Sequence, residues 1–264
     1  MAMIEVCVLG SSSSGNATLI AAGGLQILVD AGLTSRAIEH RLADLGRRPA
    51  DLAGILLTHE HGDHTQGARL LARRHGIPIL ANHLARDALA EEFGTDVRWQ
   101  IFQTGEPFRL GPLRVLPFSV PHDSYDPVGF RIELEPGLRL AVVTDLGHAT
   151  NLVRERLRGC QVLILESNHD VRMLQDSPRP WSLKQRILSR QGHLSNAAAA
   201  ELAAAVAHPG LEHVVLAHLS RDCNDPELAR ATITAALEQA AVRPLVSLSH
   251  PSRVGQVIRV QTPP

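Results

Sequence analysis

A six-residue stretch with three histidines and one aspartate constrains this chain more than any other feature of its sequence. The stretch reads HEHGDH, residues 59–64, and only Thr58 separates it from the apolar run LAGILL. A continuous apolar run of this kind predicts a short strand that is buried on both faces of a sheet. We predict that the next helix begins near Thr65. The motif is therefore predicted on a loop at the carboxyl end of a strand, where α/β proteins place their functional sites.

The residue types and spacing of this motif predict a metal site. Imidazole and carboxylate groups are ligands for zinc and for other borderline metals. His59 and His61 are two positions apart, as are His61 and Asp63, so a tight loop can turn them to different sides. We predict two cations, with His59 and His61 on one and Asp63 and His64 on the other. The alternative is a polar loop of capping or solvent-facing histidines, which the position after a buried strand disfavours.

Two ligands for each cation do not close a site, and three downstream residues stand in equivalent positions. His122 follows the strand-like run FSVP, Asp145 follows LAVVT, and His218 follows HVVLA. A carboxylate can bridge two cations, so Asp145 is the candidate bridging ligand, with a hydroxide as the second bridge. Taken singly, each residue has an ordinary explanation as a helix cap or a hydrogen-bonded core histidine. Their shared placement after apolar strands favours the metal site.

The order of predicted strands and helices indicates the fold class. Two strand-rich halves are each accompanied by helices, and a middle region of short strands and turns at residues 97–143 joins them. This region includes a hairpin around residues 135–137, and a later basic loop is predicted to hold one short helix. We predict one α/β domain over residues 1–264, in which two mixed β-sheets are flanked by helices in four layers.

Composition places the chain among globular proteins of a reducing compartment. There is no apolar run of about 18 residues that would cross a membrane, and the amino terminus lacks the pattern of a secretory signal. Cys7, Cys160 and Cys223 are odd in number and far apart, which argues against a disulfide framework. We therefore expect a cytoplasmic protein that does not bind membranes. The net charge of −1 gives no overall field that would attract nucleic acid.

With these residues in place, the sequence resembles the metallo-β-lactamase fold hydrolases along its whole length. The resemblance implies the αβ/βα four-layer sandwich. It implies that His59, His61 and His122 bind the first metal. Asp63, His64 and His218 would bind the second metal, and Asp145 would bridge the two. Four further stretches resemble the YycJ/WalJ group within that superfamily: GSSSSGNATLI, ESNHDVRML, GHLSNAAAAELA and LAHLSRDCNDPELA. That group is linked to 5′-to-3′ exonuclease action on DNA. Residues 176–181, DSPRPW, match the group less well.

The resemblance also suggests which residues act on the substrate. His193 in GHLSN resembles a histidine of tRNase Z-like phosphodiesterases that contacts the scissile phosphate, whereas a surface histidine at a helix end is the alternative. We predict Asp63 and His193 as catalytic residues. The candidate substrate contacts are Ser12, His169, Arg186 and Ser220.

Local charge favours a phosphodiester substrate. Residues 154–190 carry eight basic and four acidic side chains, and such a patch can follow a phosphate backbone, although a solvated face is the alternative. We predict a hydrolase that uses two divalent cations, Zn²⁺ or Mn²⁺, and a bridging hydroxide to cleave nucleic acid, DNA rather than RNA. The enzymatic alternative is a small-molecule hydrolase, either a cyclic phosphodiesterase or a glyoxalase II-like thioesterase. A metal-binding scaffold without activity is a third reading, which the full ligand set disfavours.

Overall fold

A computed structural model describes residues 2–135 and 137–261 of the chain. Within these residues the protein forms two sheets of seven strands each. The first half of the chain contributes six strands to the first sheet: β1 (Met3–Gly10), β2 (Ala17–Ala22), β3 (Leu25–Val29), β4 (Leu52–Leu56), β5 (Ile79–Ala81) and β6 (Trp99–Ile101). The second sheet has β7 (Phe108–Leu110), β8 (Leu113–Ser119), β9 (Val128–Leu134), β10 (Leu138–Val143), β11 (Val162–Glu166), β12 (His213–Ala217) and β13 (Leu245–Leu248). The last strand, β14 (Ile258–Gln261), returns to the first sheet.

Both sheets are mixed, and their connections mirror each other. The first sheet has the spatial order β14-β1-β2-β3-β4-β5-β6, with antiparallel pairs up to β3 and parallel pairs from β3 to β6. The second has the order β13-β12-β11-β10-β9-β8-β7, with parallel pairs from β13 to β10 and antiparallel pairs beyond. The parallel strands of each sheet therefore end at one edge, which is where the predicted ligands follow them.

Helices lie outside each sheet and complete the four layers. The first half contributes α1 (Ser35–Asp44), α2 (Gly62–Thr65), α3 (Ala68–His75) and α4 (His83–Phe93). The second half contributes α5 (Asn151–Leu157), α6 (Val171–Asp176), α7 (Trp181–Leu188), α8 (Asn196–Val206) and α9 (Pro226–Gln239). None of the helices in the described part of the chain combines the length and apolar character that a membrane span requires.

Three apolar layers hold this arrangement together. One cluster joins the facing sides of the two sheets, where Ile20 and Phe130 are fully buried. A second cluster lies between the first sheet and its helices, and a third lies between the second sheet and α5, α8 and α9. Because the central strands are covered on both faces, they are apolar without alternation, and β11 (VLILE) is buried at every position. The predicted four-layer fold is confirmed.

Several local predictions need correction. The helix expected near Thr65 begins earlier, at Gly62, so that Asp63 and His64 lie on the single turn of α2 rather than on a loop. The predicted basic loop with one short helix contains two helices, α6 and α7. Strand β14 was not predicted, because it is a short edge strand that forms only by pairing with β1 at the other end of the chain. Pro136, in the predicted hairpin turn, and residues 1 and 262–264 of the predicted domain lie outside the described residues.

Candidate metal centre

The seven predicted ligands meet at the edge where the strands end. The HEHGDH motif follows β4, and the downstream residues His122, Asp145 and His218 follow β8, β10 and β12. Strand ends of the first sheet thus face strand ends of the second. Because the strands are anchored in the core, the ligands are presented by rigid elements from both halves of the fold.

His59, His61 and His122 form the first cluster. Each offers a ring nitrogen, and these nitrogens lie within 4.8 Å of one another. Burial lowers the pKa of His59 well below its ordinary value, and the nearby positive charge of His64 lowers it further. Nδ1 of His122 lies 3.2 Å from the backbone oxygen of Gly192, which leaves Nε2 facing the site. Burial also lowers the pKa of His122, so His59 and His122 are suited to be neutral, which is the form that binds a metal.

Asp63, His64 and His218 form the second cluster, again with one ligand atom each within 4.8 Å of the others. Nε2 of His218 lies 3.4 Å from Oδ2 of Asp63. Burial lowers the pKa of His218, but the carboxylates of Asp145, Asp63 and Glu166 outweigh burial and raise it to about 10. A cation that binds here must therefore displace a proton.

Asp145 lies between the two clusters. Its Oδ2 is 2.9 Å from Nε2 of His64 in the second cluster, and its Oδ1 is 3.7 Å from Nε2 of His122 in the first. The backbone of Asp145 is left-handed, with φ of 56°. Burial raises the pKa of this carboxyl, but the charges of His218 and His64 outweigh burial and hold the pKa well below its ordinary value. An ionised carboxylate that faces both clusters has the placement of a bridging ligand.

Two buried carboxylates behind the ligands were not identified in the sequence. Oδ2 of Asp30 lies 2.8 Å from Nδ1 of His64, and Oε1 of Glu166 lies 2.8 Å from Nδ1 of His218. Each carboxylate fixes the ring so that Nε2 points into the site, which is how outer carboxylates orient histidine ligands. Both follow apolar runs, LQILV and VLIL. The same signal that identified Asp145, an acid at the end of an apolar strand, would have found them.

His193 lies beside the second cluster. Its Nδ1 is 2.8 Å from Oε1 of Glu166 and 3.6 Å from Oδ1 of Asp145. Burial lowers the pKa of His193, but the charge of Glu166 and its hydrogen bond outweigh burial and raise the pKa above its ordinary value. Burial raises the pKa of Glu166, but the charge of His193 and the hydrogen bonds from both histidines lower it to about 2.

The clusters border a cavity of about 170 Å³, and five of the seven predicted ligands line it: His61, Asp63, His122, Asp145 and His218. Arg186 and Ser220, two of the predicted substrate contacts, line it. Ser12, another predicted substrate contact, does not line the cavity. It is buried in the turn between β1 and β2, where its hydroxyl accepts a hydrogen bond from the backbone of Ser14. The neighbouring Ser13 lines the cavity instead. His169 is buried behind the cavity, and burial lowers its pKa to about 4.

The predicted basic patch is only partly available to a ligand. Arg179 and Arg186 line the cavity, and each also pairs with an acid, Asp222 and Asp123 respectively. Lys184 is buried, and its ammonium donates to the backbone oxygens of residues 175 and 177 at 2.7 and 2.6 Å. The charge of Lys184 therefore ties α6 to α7 and does not face the cavity.

The backbone of neighbouring loops holds the ligand motif in place. Asn16 N donates to the backbone oxygen of Asp63, and Ala31 N donates to that of His64, both at 2.8 Å. A Cβ on Gly32 would lie 1.6 Å from the backbone oxygen of Asp63. Only glycine fits at position 32, because any side chain there would displace the turn that carries Asp63 and His64.

The residues present fit divalent cations. Nε2 of His59 and Oδ2 of Asp145 are among the buried polar atoms that have no hydrogen-bond partner in the described residues. Nε2 of His64 is close to Oδ2 of Asp145, at 2.9 Å, but the contact does not have the geometry of a hydrogen bond. Buried polar atoms without partners are rare in proteins. Five imidazoles and two carboxylates converge on these atoms, and a cation satisfies such donors together.

Comparison with known proteins assigns the family. Residues 26–219 match the family described as the beta-lactamase superfamily domain. The chain belongs to the metallo-β-lactamase superfamily. Its sequence is 37% identical over 239 residues to exodeoxyribonuclease YycJ of Bacillus anthracis, and the alignment covers 89% of this chain and 90% of that protein. It is 35% identical over 237 residues to exodeoxyribonuclease WalJ of Streptococcus pneumoniae serotype 2 (strain D39 / NCTC 7466), covering 88% of each.

A solved structure shows the same architecture. The metallo-β-lactamase fold protein YhfI from Bacillus subtilis superimposes with a TM-score of 0.75 over 98% of this chain and 100% of that one. The two sequences are 18% identical, so this similarity shows that the two proteins share a fold.

Proposed function

We propose that this protein is a dinuclear metal-dependent phosphodiesterase that acts as a 5′-to-3′ exonuclease on DNA. The observation that carries the proposal is the position of Asp145, whose two oxygens face the two histidine clusters at the floor of one cavity. Two divalent cations, Zn²⁺ or Mn²⁺, would supply when bound a nucleophile at neutral pH and positive charge for the attacking and leaving oxygens. The similarity to proteins named exodeoxyribonuclease supports DNA as the substrate.

The roles of the ligand residues follow from their surroundings. His59, His61 and His122 would hold one cation, and Asp63, His64 and His218 the other. Asp145 would hold both and set their separation. Asp30 and Glu166 keep the Nδ1 proton on His64 and His218, so that Nε2 is the nitrogen that each ring presents to the site.

His193 would act on the departing oxygen. Glu166 accepts a hydrogen bond from Nδ1 of His193, which fixes the ring at the cavity wall and leaves Nε2 to donate a proton. A positioned imidazole contributes typically about 10²–10⁴-fold as a general acid or base. Arg179 and Arg186 would contact the phosphates on either side of the cleaved bond, since both residues line the cavity.

We also propose that residues 1–264 act as one domain in the cytoplasm. The three thiols support this location, because Cys7, Cys160 and Cys223 are unpaired and lie in separate apolar clusters. A reducing compartment leaves such thiols free.

End-labelled substrates test the proposed function. Protein loaded with Mn²⁺ or Zn²⁺ is incubated with DNA and RNA oligonucleotides, single- and double-stranded, each labelled at either the 5′ or the 3′ end. A 5′-to-3′ exonuclease releases the 5′ label at once as a short product, whereas the 3′ label appears in a ladder of shortening fragments. Activity should weaken as salt rises, because phosphate contacts release counterions. Turnover of a thioester without cleavage of any nucleic acid would overturn the proposal.

A further inference from the structure

The first histidine cluster is assembled from both halves of the fold. His59 and His61 follow β4 of the first sheet, whereas His122 lies in the loop of residues 120–127 that joins β8 to β9 of the second sheet. Residues 122–126 of this loop adopt neither helix nor strand. The position of the third imidazole therefore depends on the contacts that hold the loop against the HEHGDH motif.

The side chain of Glu60 makes such a contact. The hydroxyl of Ser124 donates a hydrogen bond to Oε2 of Glu60 at 2.7 Å, and the backbone N–H of Tyr125 donates to Oε1 at 3.3 Å. These two hydrogen bonds form a clasp between the motif and the loop, two and three residues beyond His122. In sequence Glu60 lies between the other two ligands of the cluster. One residue thus connects all three predicted ligands of the first metal.

Glu60 is not itself placed to bind a metal or a substrate. Among the described residues, its carboxylate belongs to none of the groups that could hold a metal ion, and it does not line the cavity of the metal centre. Glu60 is half-buried on the outer side of the motif, in an open surface depression that it shares with Glu92. Removal of its side chain would therefore take away a support of the loop and no ligand.

The loop has other anchors on either side of the clasp. Beyond it, Asp126 accepts hydrogen bonds from the side-chain amide of Asn82 at 2.6 Å and from the hydroxyl of Thr104 at 2.7 Å. Before it, Asp123 pairs with Arg186 of α7, which belongs to the second half of the chain. The fold should therefore survive loss of the clasp, while the segment that carries the ligand loses its connection to the motif.

We infer that Glu60 is a positioning residue for the first metal, because the clasp sets the position of His122 relative to the other two imidazoles. This inference rests on the ligand set of the proposed function. Without the clasp, a bound cation would have to order the loop itself, and ordering a chain segment costs conformational entropy. Glu60 therefore raises the affinity of the first site. It leaves the second site unchanged, because the ligands of that site do not lie on this loop.

Titration of the metal-free protein with Co²⁺ tests this inference, because the visible absorption of Co²⁺ reports its ligands. His122→Ala and His218→Ala provide the spectra of protein that lacks a ligand of the first or the second site. Glu60→Ala should bind one equivalent like the wild type and the other about tenfold or more weakly. Its spectrum with one equivalent bound should match that of His122→Ala. Wild-type affinity for both equivalents, or a match to His218→Ala, would overturn the inference.

Three further variants show whether the clasp or the charge of Glu60 matters. Glu60→Gln should retain most of the affinity, because its amide oxygen still accepts a hydrogen bond. Ser124→Ala should weaken the first site, and the double variant with Glu60→Ala should bind no more weakly than Glu60→Ala alone, because both changes break one contact. Glu92→Ala removes a carboxylate from the same depression and is the matched control. Fully additive effects, or an equal loss in Glu92→Ala, would contradict the role of the clasp.

Hydrogen exchange tests the clasp without any metal. In chelator, Glu60→Ala should take up deuterium faster than the wild type in peptides from residues 120–127, because the N–H of Tyr125 loses its acceptor. The melting temperature should stay nearly unchanged, since the anchors at Asp123 and Asp126 remain. Equal uptake in these peptides would show that Glu60 does not hold the loop.

The outcomes separate this inference from the function on which it rests. If the wild type binds two cations and cleaves DNA, while Glu60→Ala matches it in affinity and exchange, the positioning role is wrong and the nuclease function stands. If Glu60→Ala weakens the first site but the wild type cleaves no nucleic acid, the nuclease function fails and the positioning role stands. If the wild type binds fewer than two cations, the ligand set is wrong and the inference fails with it.

Discussion

The carboxylate of Glu166 accepts a hydrogen bond from Nδ1 of His193 at 2.8 Å, although neither residue belongs to the seven predicted ligands. The same oxygen, Oε1, also lies 2.8 Å from Nδ1 of the ligand His218. One buried carboxylate thus orients a proposed metal ligand and the residue proposed to protonate the leaving group. In the proposed mechanism, a single side chain would therefore align proton transfer with metal binding.

His193→Ala should separate these two roles. We expect bound metal and melting temperature to stay nearly unchanged, while turnover on DNA falls by roughly two orders of magnitude or more. The loss should appear mainly in kcat, because the proton is needed only in the transition state. Metal analysis and single-turnover cleavage, measured on the same preparations, check this. Loss of metal together with activity would instead make His193 a ligand.

Asp30→Asn should weaken metal binding without removing a ligand. Asp30 holds Nδ1 of His64 and also accepts hydrogen bonds from the backbone and hydroxyl of Thr58. Loss of such an outer partner typically lowers metal affinity by about 10–100-fold. Competition with a chromophoric chelator measures the affinity. Asp51→Asn, which removes an exposed pair with Arg48, is the control and should bind metal normally; equal affinities in the two variants would contradict the role of Asp30.

Asp145→Ala and Asp145→Asn should both abolish hydrolysis, because neither side chain can bridge two cations as a carboxylate does. They should differ in stability. Asn tolerates the left-handed backbone of this position, whereas Ala is disfavoured there by roughly 1–2 kcal/mol. In chelator, the Ala variant should therefore melt below the Asn variant. Near-normal turnover with two bound metals in either variant would show that Asp145 does not bridge.

The stability of the second sheet should depend on pH through Glu133. Burial raises the pKa of this carboxyl, but the hydrogen bond from Arg114 and the charges of Arg131 and Arg114 outweigh burial and lower the pKa. A carboxylate with a lowered folded-state pKa stabilises the protein above its unfolded pKa of about 4.3, and this stabilisation is lost as pH falls through the folded pKa. Glu133→Gln should lower the melting temperature at pH 7, and the difference should shrink below about pH 4.

Metal-free wild type and variant are compared in that experiment, so that release of metal in acid does not contribute. Glu135→Gln is the matched control. Its side chain is 73% exposed and pairs with Arg109 at 3.4 Å, whereas that of Glu133 is 16% exposed. Exposed pairs add little to stability, so the control should melt like the wild type at every pH. A constant difference for Glu133→Gln from pH 7 to pH 3 would rule out the ionic contribution.

The convergence of the ligands was predictable because it depends on strand ends. His122, Asp145 and His218 each follow an apolar run, and parallel strands of one sheet end at the same edge. Asp30 and Glu166 carry the same signal, yet a single acid after a strand is as often a helix cap. The signal therefore marks them as candidates, and their pairing with His64 and His218 becomes visible only when β3 is placed beside β4 and β11 beside β12. Strand β14 was also hard to predict from the sequence, because it pairs with β1 at the other end of the chain, where Gln261 lies opposite Met3.

The charges of the α6–α7 region were harder to predict for a different reason. Counting basic residues cannot distinguish a solvated cation from one that has backbone oxygens as partners. Lys184 looks like part of a phosphate-binding patch in sequence, but it is buried in the structure. Arg179 and Arg186 look the same in sequence and line the cavity.

The close approach of Gly32 to Asp63 limits how the metal-binding motif can be transplanted. A designer who grafts HEHGDH onto the end of another parallel strand would transfer the ligands but not the backbone that holds them. Asn16 and Ala31 supply that support from two other loops, through backbone hydrogen bonds to Asp63 and His64. Gly67 N adds a further hydrogen bond, to the backbone oxygen of Ala31 at 2.8 Å. The smallest portable unit is therefore a corner of three chain segments, around residues 16, 30–32 and 58–67. A search for the linear motif would find the predicted ligands. Their geometry, however, requires all three chain segments.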